Sequence, residues 1–109
     1  MAHTTIVIFG FRLELTESEL GSLEDRSHPA LVSARKVGLQ HYWGNFGAPC
    51  ERYLLFISRL LAKVGDEDKA EISIPADQLP GIFLDVAKRA REAGFPQDLS
   101  LMCQFQPDA

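Results

Sequence analysis

Cysteine is scarce in this chain: Cys50 and Cys103 are the only two in 109 residues. Two thiols cannot staple a scaffold, and these are too far apart in sequence to form a close-spaced metal pair. Histidine is equally sparse. His3, His28 and His41 fall in three different parts of the chain with no paired spacing on one element, so no metal site and no cofactor are expected. Positive charge is the minority sign, with 11 Lys and Arg against 15 Asp and Glu and a formal net charge of −4. A nucleic-acid binder, or a protein held on an anionic membrane, would normally carry a basic surface, so neither partner is expected. No apolar run approaches the roughly 20 residues that cross a bilayer. The first residues enter a strand pattern without the basic and apolar regions of a secretory leader. The expectation is a reduced, cytoplasmic protein.

The motifs of common chemistries are missing too. Gly44-Asn45-Phe46-Gly47 lacks the length and the Lys-Ser/Thr ending of a phosphate loop, and no serine sits in a nucleophile-elbow pattern. There is no internal repeat, low-complexity tract or interdomain linker. What remains is an ordinary globular composition, 46% apolar and 24% charged, in a length that suits one domain over residues 1–109.

Hydrophobic periodicity divides that domain. Residues 4–15 alternate, with Val7, Phe9, Phe11, Leu13 and Leu15 on one face and Ile6, Ile8, Gly10, Arg12 and Glu14 on the other. The first half is apolar on both faces and reads as a central strand. Gly10 marks a bulge or a close backbone approach. Thr16-Glu17-Ser18-Glu19 matches a capping box, predicting a short helix to about Asp25. Pro29 opens a second helical turn through Arg35. A second strand is predicted over 37–43. The spacing over 49–64 fills one broad helical arc (Cys50, Tyr53, Leu54, Phe56, Ile57, Leu60, Leu61, Val64) and predicts a helix stopped by Gly65, with Leu55 out of place among polar neighbours. Residues 70–74 read as a third strand. A third helix, capped by Asp77 and ended by Gly94, carries Leu79, Ile82, Phe83, Val86, Ala90 and Ala93 as its buried stripe, and 99–106 form a fourth strand. Most of these strands are apolar on one face only. The fold class is therefore α+β: a two-layer sandwich of about four strands with two main helices on one face.

Chemistry, if any, concentrates in 41–50. Cys50 in the first turn of a helix would feel unpaired N–H groups that favour thiolate, and His41 could serve as its base. Tyr42, Trp43, Asn45 and Phe46, with flexible glycines between them, could hold a ring-bearing ligand. Each has a plainer reading: Cys50, His41 and Trp43 share faces with core residues, so packing outweighs catalysis. A different set points to a protein partner. Glu17 and Glu19 belong to an acidic segment; Lys88 and Arg91 share the outer face of the third helix with Leu84, apolar among charges. Met102, with Tyr42, Gln104, Gln106 and Arg12, belongs to a sheet face left without helices, suited to protein contact. The function expected is a small intracellular protein-interaction or regulatory module of the adaptor, inhibitor, antitoxin or immunity type. It would bind a protein partner or form a homodimer through the open face or an edge strand; no catalytic motif is evident, which leans against an enzyme without deciding the question. The alternative is a small enzyme or small-molecule-binding domain with its site around His41–Cys50.

Overall fold

Strand β1 (Thr4–Leu15) takes the full length of the alternating pattern, and it is central. On one side it pairs antiparallel with β3 (Tyr53–Gly65), and on the other with β4 (Ser100–Gln106); β2 (Gln40–Asn45) pairs antiparallel with the far side of β3. The structure is a computed structural model and describes residues 4–45, 52–65 and 71–106. The sheet order is β2-β3-β1-β4, with helices in the β1–β2 and β3–β4 connections. That order, reached by a β-α-β-β-α-β chain, is the split β-α-β arrangement.

The helices are α1 (Leu20–Glu24), α2 (Pro29–Lys36) and α3 (Leu79–Glu92). All three pack on one face. Leu23 of α1, Ala30, Leu31 and Ala34 of α2, and Val86 and Ala90 of α3 meet Phe11, Leu39, Leu55 and Ile57 in the main core. The alanines let α2 and α3 approach the sheet closely, and two ring contacts fix α3 and its exit. Phe83 meets Phe9 at 4.4 Å between centroids, and Phe95 meets Phe11 at 4.9 Å. This two-layer α+β architecture is the one expected from the sequence.

Helix α2 and helix α3 stop by the same device. Gly38 and Gly94 adopt left-handed φ values of 76° and 81°. The N–H groups of Leu39 and Phe95 reach back to the carbonyls of Ala34 and Ala90, the double-bonded glycine cap of a Schellman motif. Each cap drops the following apolar residue into the core. This is why β2 starts at Gln40 rather than at residue 37: Val37 and Gly38 belong to the end of α2.

Residues 49–64 are the main correction. From Tyr53 the chain is a strand, not a helix. Leu54 and Phe56 face one side, and Leu55 and Ile57 face the other. All four are fully buried, because β3 lies between β1 and β2 with apolar clusters on both faces. A segment buried on both faces needs no alternation, and its sequence fills a helical arc equally well. Leu55, which looks stray on a helix, is a core residue. The strand expected over 70–74 is absent where it is described: residues 71–75 have no regular structure. Its sheet position belongs to β3.

Gly10 is a close approach. A Cβ there would lie 2.1 Å from the Ile57 carbonyl oxygen and 2.6 Å from Ser58 Cα. The register break lies elsewhere, between Val7 and Ile8, where Leu61 is the extra residue of a β-bulge. The helix-free face is also less polar than expected. Ile6, Ile8, Leu54 and Phe56 are 0–1% exposed there, ringed by Tyr42, Leu60 and Met102. No helix among the described residues is long and apolar enough to cross a membrane.

Candidate functional site

The segment that drew attention in the sequence is divided by its own strand geometry. Tyr42 and Trp43 are consecutive in β2, so they point to opposite faces. Tyr42 packs with the helix-free cluster, and Trp43 packs against the main core. They form no common stacking platform. The Asn45 side-chain oxygen accepts the Arg52 N–H at 2.9 Å, drawing the ends of the β2–β3 connection together. Phe46 and Cys50 lie outside the described residues. From Tyr53 on, the segment expected as a helix over 49–64 is the strand β3. His41 shares the helix side of β2 with Trp43 but is exposed, not a core residue. Partial desolvation holds its imidazole below the usual histidine range, helped by the positive charges of Arg26 and Arg35.

His28 carries a structural role that the sequence did not show. Its ring sits at the start of α2, where Nδ1 accepts the Ala30 N–H at 3.1 Å, and Nε2 lies 2.9 Å from a Glu19 oxygen. Because Nδ1 accepts a backbone N–H, the ring proton belongs on Nε2, which donates to the Glu19 carboxylate. Glu19 in turn closes the capping box, its other oxygen accepting the Thr16 N–H and hydroxyl, both at 3.1 Å. The hydrogen bond from His28, then that from the Thr16 backbone, holds the Glu19 carboxyl below the usual carboxylate range. Glu19 is thus committed to joining two helix starts, while Glu17 is exposed beside it.

The other partner-facing candidates do not form one surface. Leu84, Lys88 and Arg91 are all exposed along one stripe of α3, Leu84 at 71%. Met102 is on the opposite side of the sheet, against the helix-free cluster. Between α3 and the sheet lies a cleft braced by Arg89. Its Nη1 donates to the Val37 carbonyl at the end of α2 (2.7 Å), and its Nε donates to Asp85 (3.0 Å). Asp85 also lies 3.9 Å from Arg59. Among the described residues no group of three His, Cys, Asp or Glu side chains gathers as a metal would require.

One surface was missed in the sequence. At about 1.5 Å per helical residue, α3 spans roughly 21 Å. The 13 residues of β3 extend about 43 Å at 3.3 Å each. Among the described residues the helices cover only part of the sheet, and the end carrying Val7, Leu61 and Leu101 is met only by Leu79, the first residue of α3. There Leu101 is 54% and Phe105 51% exposed, joined by exposed Ile72. A groove of ≈ 210 Å³ opens among Val7, Leu61, Ile72, Ile74, Leu79 and Leu101. Its wall strand, β4, is an edge strand whose sequence Ser-Leu-Met-Cys-Gln-Phe-Gln contains no charge, glycine or proline. Alternation placed Leu101 and Phe105 on the helix side correctly. It could not show that the helices leave them exposed; the lack of charge in 100–106 was the available signal.

No family model, no curated protein and no solved structure matches the chain.

Proposed function

We propose that the protein is a small interaction or regulatory module, of the adaptor, inhibitor, antitoxin or immunity type, acting in the cytoplasm. It would engage a protein partner, a second copy of the chain included, through the exposed corner of β4. The observation that carries this reading is the exposure of Leu101 and Phe105 on an uncharged edge strand beside an apolar groove. Edge strands that stay single are normally guarded by lysine, proline, bulges or inward charges. Clustered exposed apolar side chains on a soluble domain commonly mark a contact surface. An edge strand offers main-chain pairing for affinity and alternate side chains for specificity. The α3 stripe of Leu84, Lys88 and Arg91 is the competing contact surface. The reading as a small enzyme or ligand-binding domain around His41–Cys50 has weaker support, because Tyr42 and Trp43 diverge and Asn45 is engaged by Arg52.

Affinity capture from the native cell tests it, comparing wild type with Leu101→Lys, Phe105→Ser and Leu84→Asp. All three positions are exposed, so the fold should survive, as circular dichroism would verify. Capture should fall at least tenfold for the β4 variants and stay unchanged for Leu84→Asp. Undiminished capture by folded β4 variants would overturn the assignment to this corner.

A further inference from the structure

We infer that the occupant of the β4 edge is a second copy of this chain, paired strand to strand about a two-fold axis at Cys103. The inference rests on the proposed interaction role of the corner and names its partner.

Symmetry decides which strands can meet themselves. In a two-fold antiparallel pairing a residue some places past the axis meets the one as many places before it, so a charge on or next to the axis is brought near its like and any other charge must find an opposite one across the seam. β4 carries no charge. β2, the other edge, has the polar Gln40, His41 and Asn45 as its exposed residues. β2 also carries no large exposed apolar residue, whereas β4 carries two of those in the described chain.

The register follows from the length of the strand. β4 has seven residues with Cys103 at its middle. Only an antiparallel register centred on Cys103 pairs all seven with all seven. Leu101 then lies opposite Phe105 of the second copy, Phe105 opposite its Leu101, and Met102 opposite its Gln104. Leu101, Cys103 and Phe105 share the helix side of the sheet, since they pair with Phe9, Val7 and Thr5 of β1. The two copies would therefore build one apolar cluster across the seam, aliphatic against aromatic, a favourable cross-strand combination. Phe105 of the second copy, set opposite Leu101, comes to the mouth of the groove that Leu101 lines. The result is one continuous eight-stranded sheet with both β4 edges used up. Pairing closes at two copies instead of propagating through this strand.

The register has a chemical signature. Directly opposed residues in an antiparallel pair have Cα atoms about 4.5 or 5.5 Å apart, within the roughly 4.4–6.8 Å that a disulfide spans. Cys103 is a free, exposed thiol. The test uses the full chain carrying Cys50→Ser, so that Cys103 is its only thiol. Sedimentation velocity before oxidation should give twice the 12.1 kDa chain mass. Diamide should then join two Cys103 thiols, their two hydrogens passing to its N=N bond, and give a dimer band on a non-reducing gel. Cys103→Ser should keep the sedimenting dimer and lose the band. Leu101→Lys should sediment as a monomer and lose at least tenfold in cross-linking rate.

A monomer at all concentrations overturns the inference. So does a dimer that Leu101→Lys leaves intact, or one that gives no Cys103 cross-link. If self-association fails but capture of another protein still depends on Leu101 and Phe105, the interaction role stands and only the partner was wrong. If both fail, the corner has no role in binding.

Discussion

Single residues show how tightly this fold is drawn. Gly10 leaves no room for a methyl group, because the backbone of β3 passes where its Cβ would be. Neither strand can yield, since β1 is held on both sides. Gly10→Ala is expected to cost about 3 kcal/mol or more in denaturant unfolding; a loss under about 1 kcal/mol would contradict that packing. His28 caps α2 with one nitrogen and binds Glu19 with the other. Truncating it to alanine is expected to cost about 1 kcal/mol, as for other lost caps. Glu19 adds a pH dependence whose sign follows from the direction of its shift. Its carboxyl is held below the ordinary range in the folded chain, so the unfolded chain binds the proton more readily. The stabilisation is complete above the ordinary carboxylate value of about 4.3 and is lost as pH falls through the lowered folded value. Urea unfolding from pH 6 down to pH 3 should therefore show a steeper acid loss in wild type than in Glu19→Gln. Parallel curves would count against the His28–Glu19 link.

Elements were legible in the sequence wherever a local signal fixed them. The capping box at Thr16 and Glu19, Pro29 at the head of α2, Gly94 past the end of α3, and the alternation of β1 and β4 each state their structure within a few residues. β3 did not, because burial on both faces erases the period that tells strand from helix. The arbiter was available at the level of pairing. A central strand of twelve residues needs a partner of similar length, and a five-residue strand at 70–74 could not supply it. In 41–45 a related effect operates: residue types concentrated in sequence are split between two faces by the strand that carries them, so Tyr42 and Trp43 do not face one ligand together. Two leucines now separate the helix and strand readings experimentally. Leu55→Ala is expected to cost 2–5 kcal/mol as a core deletion in β3. Leu84→Ala, exposed on α3, is expected to stay within about 0.5 kcal/mol. Equal costs at the two sites would contradict the placement of β3 between two apolar layers.

For the whole molecule, the mismatch between long strands and short helices is what gives the surface its character. The longest strand is about twice the length of the principal helix, and among the described residues apolar side chains stay exposed at one end. Here they gather at β4 with Leu101, Phe105 and the groove behind them. The acidic segment and the α3 stripe lie elsewhere and would add contacts at most around that corner. Hydrogen exchange followed at several protein concentrations, with and without the captured partner, tests this most directly. Slowing is expected to concentrate in residues 100–106, with a smaller effect at 71–79 and none along Leu84, Lys88 and Arg91. Exchange in β4 that is unchanged on association, with protection appearing on the outer face of α3 instead, would contradict the assignment of this edge as the binding surface.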